Sequence, residues 1–314
     1  MSLFDHGGDE MGSQSERVFV QDGIHQDIRL DGRRRDDLRP LSLTLGVLNH
    51  VAGSAQLRLG GTEVVVAVRC DVDTVTEGNT DWGRLTVSVE LADGVATAGG
   101  DSAAVADVEA DLACALASAF ASPSRSGGVC RGEASGGVAL DWRTLGVIPG
   151  RRAWVLGCDA LVLSHDGALL DALSVAIKAA LADTVLPELL VTAPGADTAA
   201  TQGGQSEFEL GNAMRHLDVR SVPVIVTVSR IGAHHVLDAS EAEAVHADAQ
   251  LWAAVTPAGD VTASGLTDTR VALPPGAAAD MLAAARDTGV ALHAALNKYL
   301  QSATPVEPKP LIRG

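Results

Sequence analysis

The chain has 314 residues, 46% of them hydrophobic, with 40 acidic against 23 basic residues and a formal net charge of −17. That length and apolar content support a sizeable core in one large or two small domains. The negative field excludes nucleic-acid binding through overall charge, so any such contact must be local or shared with basic partners. Aromatic residues make up only 3%, so Val, Leu, Ala and Ile must build the core. Cys70, Cys114, Cys130 and Cys158 form no C-x-x-C pair or Cys/His zinc spacing and read as reduced thiols. No apolar run is long enough to span a bilayer, and the polar first 25 residues carry no secretory pattern.

Residues 1–26 read as a flexible acidic arm rich in Gly, Asp, Ser and Gln. Three extended segments follow at 41–48, 53–59 and 63–70. In the second, Ala55, Leu57 and Leu59 alternate with Ser54, Gln56 and Arg58, the pattern of a half-buried antiparallel strand. The third, around Val64–Val68, is continuous enough for burial on both faces. A fourth strand fits 84–91, and a helix 103–120 with Asp101 and Ser102 as N-cap candidates. After a glycine-rich loop at 126–137, a strand is expected at 153–163, an Ala/Leu-rich helix at 168–182 and a short strand from Pro187. Residues 197–215 read as a linker-like loop. Strands at 224–228 and 234–237 and a hairpin of 252–256 with 261–264 then lead to a helix over 277–300. Successive antiparallel strands capped by helices indicate an α+β class. The division is a first lobe at 27–196, a C-terminal lobe at 216–302 and a tail at 303–314.

Several stretches resemble one family. Asp31-Gly32-Arg33 with Arg39, then Gly53-Ser54-Ala55 and Leu59-Gly60-Gly61-Thr62, resemble the D-G-R…R arm, G-S-A strand and L-G-x-T turn that open RNase PH-like domains. Trp154-Val155-Leu156, Asp166-Gly167, Leu169-Leu170-Asp171-Ala172 and Ala176-Ile177-Lys178-Ala179-Ala180-Leu181 are similar to the exosome branch whose archaeal counterpart is the inactive member of the catalytic pair. Val222-Pro223-Val224, Ile231-Gly232 and Val236-Leu237-Asp238-Ala239 with Glu241 resemble its eukaryotic version. The likeness runs from Asp27 to Leu300. It implies an RNase PH-like fold of antiparallel and mixed sheets packed with helices, in a two-lobed single domain. It also implies a ring of paralogues that supports 3′-5′ processing and degradation of RNA, such as rRNA maturation and mRNA turnover. Such a ring is topped by RNA-binding cap subunits, served by associated exoribonucleases and threaded by single-stranded RNA. The implied location is nucleus, nucleolus and cytoplasm, with no cofactor.

Phosphorolysis requires fixed cations beside the phosphate and an acid acting on the reacting oxygens, usually with a divalent metal. Active members of the family carry arginines at the start of the first long helix, but here no Lys or Arg occurs between Arg84 and Arg125. Their G-T-R arginine falls on Leu170. Asp238, Glu243 and Asp248 read as a degenerate former acidic site, a solvated helix start, because the second catalytic aspartate maps near Gln250. His234 and His235 are adjacent on a strand and so face opposite ways, which disfavours a shared metal; no metal site is expected. Arg33, Arg34, Arg151 and Arg152 are the local basic clusters, candidates for contact with RNA or a partner, with salt bridges as the competing role. The leading expectation is a non-catalytic ring subunit, and its alternative is an active phosphate-dependent exoribonuclease. A small-molecule enzyme finds no P-loop, dinucleotide fingerprint or nucleophile elbow in its support.

Overall fold

The computed structural model describes residues 14–74, 83–95, 102–120, 133–135, 145–148, 152–191 and 208–302. It opens on α1 (Gln14–His25), followed by β1 (Leu41–Leu45), β2 (Gly53–Leu59), β3 (Thr62–Thr74) and β4 (Arg84–Leu91). Next come α2 (Ser102–Phe120), β5 (Glu133–Ser135), β6 (Gly146–Ile148), β7 (Arg152–Ser164) and α3 (Leu169–Asp183). The hairpin partners β8 (Val185–Val191) and β9 (Phe208–His216) lead to β10 (Val224–Ile231), β11 (His234–Leu237), α4 (Glu241–Ala244), β12 (Ala249–Val255), β13 (Val261–Thr269) and α5 (Pro275–Ser302).

The first lobe is a sheet in the order β1-β2-β3-β7-β4-β5, with β6 beside β7. All of its pairs are antiparallel except β4 with β7, so the sheet is mixed. The strand alternation at 53–59 holds: Ala55 and Leu57 are fully buried while Arg58 is exposed. In β3 the continuous apolar run still alternates, with Val64, Val66 and Val68 at zero exposure and Val65 and Ala67 only half-buried. One face of this sheet is therefore the deeply buried one. The β2–β3 turn places Gly60 at φ 58, a conformation that glycine adopts without Cβ strain.

The second sheet runs β11-β10-β12-β13, antiparallel throughout. Between the two sheets lies α3, which contacts β2 and β3 on one side and β10 on the other. Every residue from Leu169 to Leu181 on it is buried. The Ala/Leu composition of this segment permits that close packing, and its buried Asp171, Ser174 and Lys178 each have hydrogen-bond partners. The principal core accordingly runs through both lobes, joining Leu57, Val66, Leu173 and Ile177 with Val224, Trp252 and Leu296.

Two expectations are corrected here. Within the expected flexible arm, residues 14–25 form α1, whose Val20 and Ile24 are buried against Ile231, Val236 and Ala247. Residues 208–215 of the expected linker belong to β9, paired antiparallel with β8. The arm's residues 1–13, the rest of the linker-like stretch, the glycine-rich loop at 126–132 and the tail lie outside the described residues. Among the described residues, no helix is long and apolar enough to cross a membrane.

Candidate functional site

The segment between α1 and β1 carries Arg29, Arg33, Arg35 and Arg39 toward the C-terminal lobe. Arg29 is 3% exposed and donates to both oxygens of Glu243, from Nε at 2.9 Å and Nη2 at 2.5 Å. Its remaining donors reach the Leu237 carbonyl at 2.9 Å and the Asp238 carbonyl at 2.8 Å. Glu243 is held in place by α4, where the Ser240 backbone N–H and hydroxyl donate to it at 3.0 and 3.1 Å. The reciprocal turn at a helix start makes that carboxylate available. Burial alone would raise the Glu243 carboxyl, but the Arg29 guanidinium outweighs burial and holds it below the usual carboxylate range.

Arg39 makes the second joint. Its backbone N–H donates to Asp238 Oδ2 at 2.6 Å and its Nη2 to Oδ1 at 2.6 Å. Nε reaches the same carboxylate, while Nη1 donates to the Asp166 carbonyl and carboxylate, and Nη2 also to the Gly167 carbonyl. Arg33 Nη1 adds a bond to Asp238 Oδ2 at 3.1 Å. Burial opposes the charge on Arg39, but the Asp238 and Asp166 carboxylates more than offset it and raise its pKa. Asp238 itself has φ 48, unusual for a residue with a Cβ. Opposite it, Gly167 has φ 83, and a Cβ there would lie 2.2 Å from the Ala239 carbonyl oxygen. Only glycine lets the start of α3 lie this close to the 239–241 backbone.

Asp238, 1% exposed, thus has both oxygens engaged by the Arg33 and Arg39 side chains and the Arg39 backbone N–H. Asp248 is held separately, by Arg17 at 2.6 Å and the Gly232 N–H at 2.7 Å. The expectation of a solvated acidic helix start is therefore corrected: Asp238, Glu243 and Asp248 are buried, each bound to a different principal arginine. Among the described residues no cluster of His, Cys, Asp and Glu could hold a metal ion. Leu170, where the family's G-T-R arginine is expected to fall, is 4% exposed and packed in the principal core. Beside it Asp171 accepts from the Thr227 N–H at 3.0 Å and hydroxyl at 2.6 Å, and burial pushes its carboxyl up to about 7.

Of the four candidate contact arginines, Arg33 is half-buried and spent on Asp31 and Asp238. Arg34 is exposed on the same segment, and Arg152 is half-buried at the head of β7. Arg151 and most of the loop at 97–102 lie outside the described residues. His234 accepts at Nδ1 from Arg35 at 2.8 Å, since a guanidinium only donates; its Nε2–H therefore points to His25 Nδ1 at 3.0 Å. Both strand histidines are half-buried, and His234 ties α1 to the β10–β11 hairpin through its bond to His25.

Sequence reasoning missed Lys178 and His293. Lys178 is fully buried on α3 and donates to the Val222 carbonyl at 2.7 Å and to His293 Nδ1 at 2.9 Å. His293 on α5 passes its Nε2–H to the Val255 carbonyl at 2.8 Å. Burial lowers the lysine to about 8 and the histidine to about 4. Position 293 lies within the apolar stripe of α5, and that spacing is the one signal that could have found it.

Comparison with known proteins places this architecture. Residues 37–187 match the 3′ exoribonuclease family, domain 1, also called RNase PH. The exosome complex component Rrp42 of Methanocella arvoryzae is 29% identical over 73% of this chain and 75% of its own length. A chain of the Archaeoglobus fulgidus exosome, solved with RNA bound to the active site, superposes with TM-score 0.67 at 22% identity, over 90% of this chain and 97% of its own. Rice Rrp46 superposes with TM-score 0.54 at 18% identity, over 87% and 98%. This chain has the RNase PH fold, and residues 37–187 match that family's first domain.

Proposed function

We propose that the chain is a structural subunit of an exosome-type ring, supporting 3′-5′ RNA processing and degradation without performing phosphorolysis itself. The observation that carries this reading is the state of the site where phosphorolysis would need its charges. The helix-head position holds Leu170, buried in the core, where a bound phosphate would require a cation. The aspartate after β11 has both oxygens committed to Arg39 and Arg33, so it has no free lone pair for a metal or a transferred proton. An anionic reaction without fixed cations loses its main source of transition-state stabilisation.

In this reading the partners are other RNase PH-like ring subunits, RNA-binding cap subunits and associated exoribonucleases, with single-stranded RNA reached through the assembled ring. Arg34, Arg151 and Arg152 are the side chains proposed to touch RNA or a neighbour; Arg33 contributes mainly by positioning the segment that carries Arg34. A nuclear, nucleolar and cytoplasmic location belongs to the same proposal. Purification through a tag on this chain, with native mass measurement, tests it. Co-purification of several RNase PH-like chains is expected, and a stable lone monomer at low salt overturns the reading.

A further inference from the structure

The helix α1 and the segment that follows it are fastened to the C-terminal lobe by different chemistry. The segment is bolted by ion pairs, Arg29 with Glu243 and Arg39 with Asp238, and by the Leu237 N–H on the Arg35 carbonyl at 3.0 Å. The helix has less to hold it. Val20 and Ile24 pack with Ile231, Val236 and Ala247, and the Arg17 side chain, 43% exposed, reaches Asp248 at 2.6 Å. At its C-terminal end His25 bonds His234 at 3.0 Å, the two rings lying 5.3 Å apart between centroids and tilted by 37°.

The hydrogen-bond directions in that pair are fixed. Arg35 can only donate, so His234 Nδ1 is an acceptor and its proton sits on Nε2, directed at His25 Nδ1. Two imidazoles with no other partner can share an added proton, the cation donating to the neutral ring. Arg35 removes that option. A proton added to His234 Nδ1 faces the Arg35 guanidinium 2.8 Å away, and one added to His25 Nδ1 faces the His234 N–H. Moving the His234 proton to Nδ1 to accept from His25 recreates the first clash. Either protonation sets donor against donor and forfeits a bond.

We propose that His25 and His234 form a proton-operated latch, which keeps α1 on the C-terminal lobe while both rings are neutral and releases it when either ring takes up a proton. The carboxylates of the neighbouring segment do not share this sensitivity. The backbone and side-chain bonds from Arg35, each at 3.1 Å, hold the Asp27 carboxyl below its usual range. Burial would raise Glu243, but Arg29 keeps it low as well. Both stay ionised in mild acid, so Arg35 is kept in place and the arginine bolts hold while α1 opens. Opening uncovers Ile231, Val236 and Ala247, and acidity thereby controls access to an apolar surface of the lobe.

Burial, Arg35, His25 and His235 all lower the His234 pKa from its ordinary 6.5 in the docked state. The docked form therefore binds fewer protons than the released form. Its advantage is complete above about 6.5 and is lost as pH falls below that value. The charged and titratable groups around the pair are Arg35 and Asp27 from the segment after α1 and His235 on β11. At the other end of α1, Arg17 meets Asp248, and His246 faces Glu16, Arg17 and Arg270, its pKa lowered chiefly by burial.

Amide hydrogen exchange of the full chain, followed by mass spectrometry and corrected for the intrinsic pH dependence of exchange, reads the opening of α1. Opening should increase about three- to tenfold between about pH 7.5 and 5.5, as uptake of one proton on release implies, with no comparable change in α3. His25→Asn combined with His234→Gln removes both titrating rings and should flatten that dependence. Arg35→Met should shrink it, because His234 then protonates at Nδ1 toward water and keeps its bond to His25. His246→Gln, a control at the other end of α1, should leave it intact. Thermal melts at the upper pH verify that each variant folds. The proposal is overturned if opening of wild-type α1 does not respond to pH. It is equally overturned if the response survives the double substitution, keeps its full size in Arg35→Met or vanishes in His246→Gln.

Discussion

Two polar joints cross the boundary between the lobes, and they handle buried charge in opposite ways. At the segment before β1, each buried arginine meets a carboxylate, Arg29 with Glu243 and Arg39 with Asp238. At the joint between α3 and α5, Lys178 meets only a carbonyl oxygen and a neutral histidine nitrogen. The first arrangement deepens ionisation: the Glu243 carboxyl is lowered and the Arg39 guanidinium raised. The second weakens it, and the lysine falls to about 8. Burial is common to both, so the counter-ion decides the sign. At the first joint both oxygens of Glu243 and both oxygens of Asp238 accept from arginine.

The largest expected effect comes from breaking the paired joint. Arg39→Ala leaves Asp238 buried without its main partner, and a loss of about 3–5 kcal/mol in denaturant unfolding is expected. A loss under about 1 kcal/mol would mean that the joint is solvated in solution. Lys178→Met should cost less, about 1–3 kcal/mol, because it strands two neutral acceptors rather than a charge. The pH profile sharpens this contrast. The folded lysine releases its proton near 8 and the unfolded one near its ordinary value of 10.5, so the unfolded chain binds more protons between those values. Wild-type stability relative to Lys178→Met should therefore grow as pH rises across that window. An unchanged difference would show that the amine is hydrated.

Smaller effects separate two groups that titrate in overlapping ranges with opposite signs. His293 is held neutral down to about 4 against 6.5 when free, so its contribution to stability is lost as pH falls through that interval. Asp171 keeps its proton up to about 7 against 3.8 when free, so its contribution declines as pH rises through that interval. The two oppose each other in the wild type. Asp171→Asn, whose amide can still pair with Thr227, should unmask the histidine slope, so that stability rises more steeply between about pH 4 and 6.5. His293→Gln should unmask the opposite slope. Identical profiles for the wild type and both variants would contradict these assignments.

Local pattern carried most of the fold. β4 at Arg84–Leu91 and β11 at His234–Leu237 are legible from alternation and flanking turns alone, and α3 from its Ala/Leu run. The helix α1 escaped because only Val20 and Ile24 face inward amid polar residues; that pair has helical spacing but is too short a stripe to stand out. The strand β9 escaped because its Gly, Asn and Ala residues carry little strand propensity, and pairing with β8 supplies what propensity lacks. The site was legible as motif but not as geometry. Asp31-Gly32-Arg33 with Arg39 flags the segment, yet nothing local to Glu243 announces Arg29, which lies far away in sequence and adjacent in space. The acids looked solvated because charge clusters usually are, and long-range pairing reversed that expectation.

The central claim is that this chain holds a place in an RNA-degrading ring without supplying chemistry. It is tested most directly by release of nucleoside diphosphates from single-stranded RNA, in phosphate and magnesium, by the purified assembly with every catalytic paralogue inactivated. The account predicts no phosphate-dependent product above background, because Leu170 at the head of α3 is buried in the core and Asp238 is committed to arginine. Sustained phosphate-dependent release from that assembly, absent when this chain is left out, would contradict it.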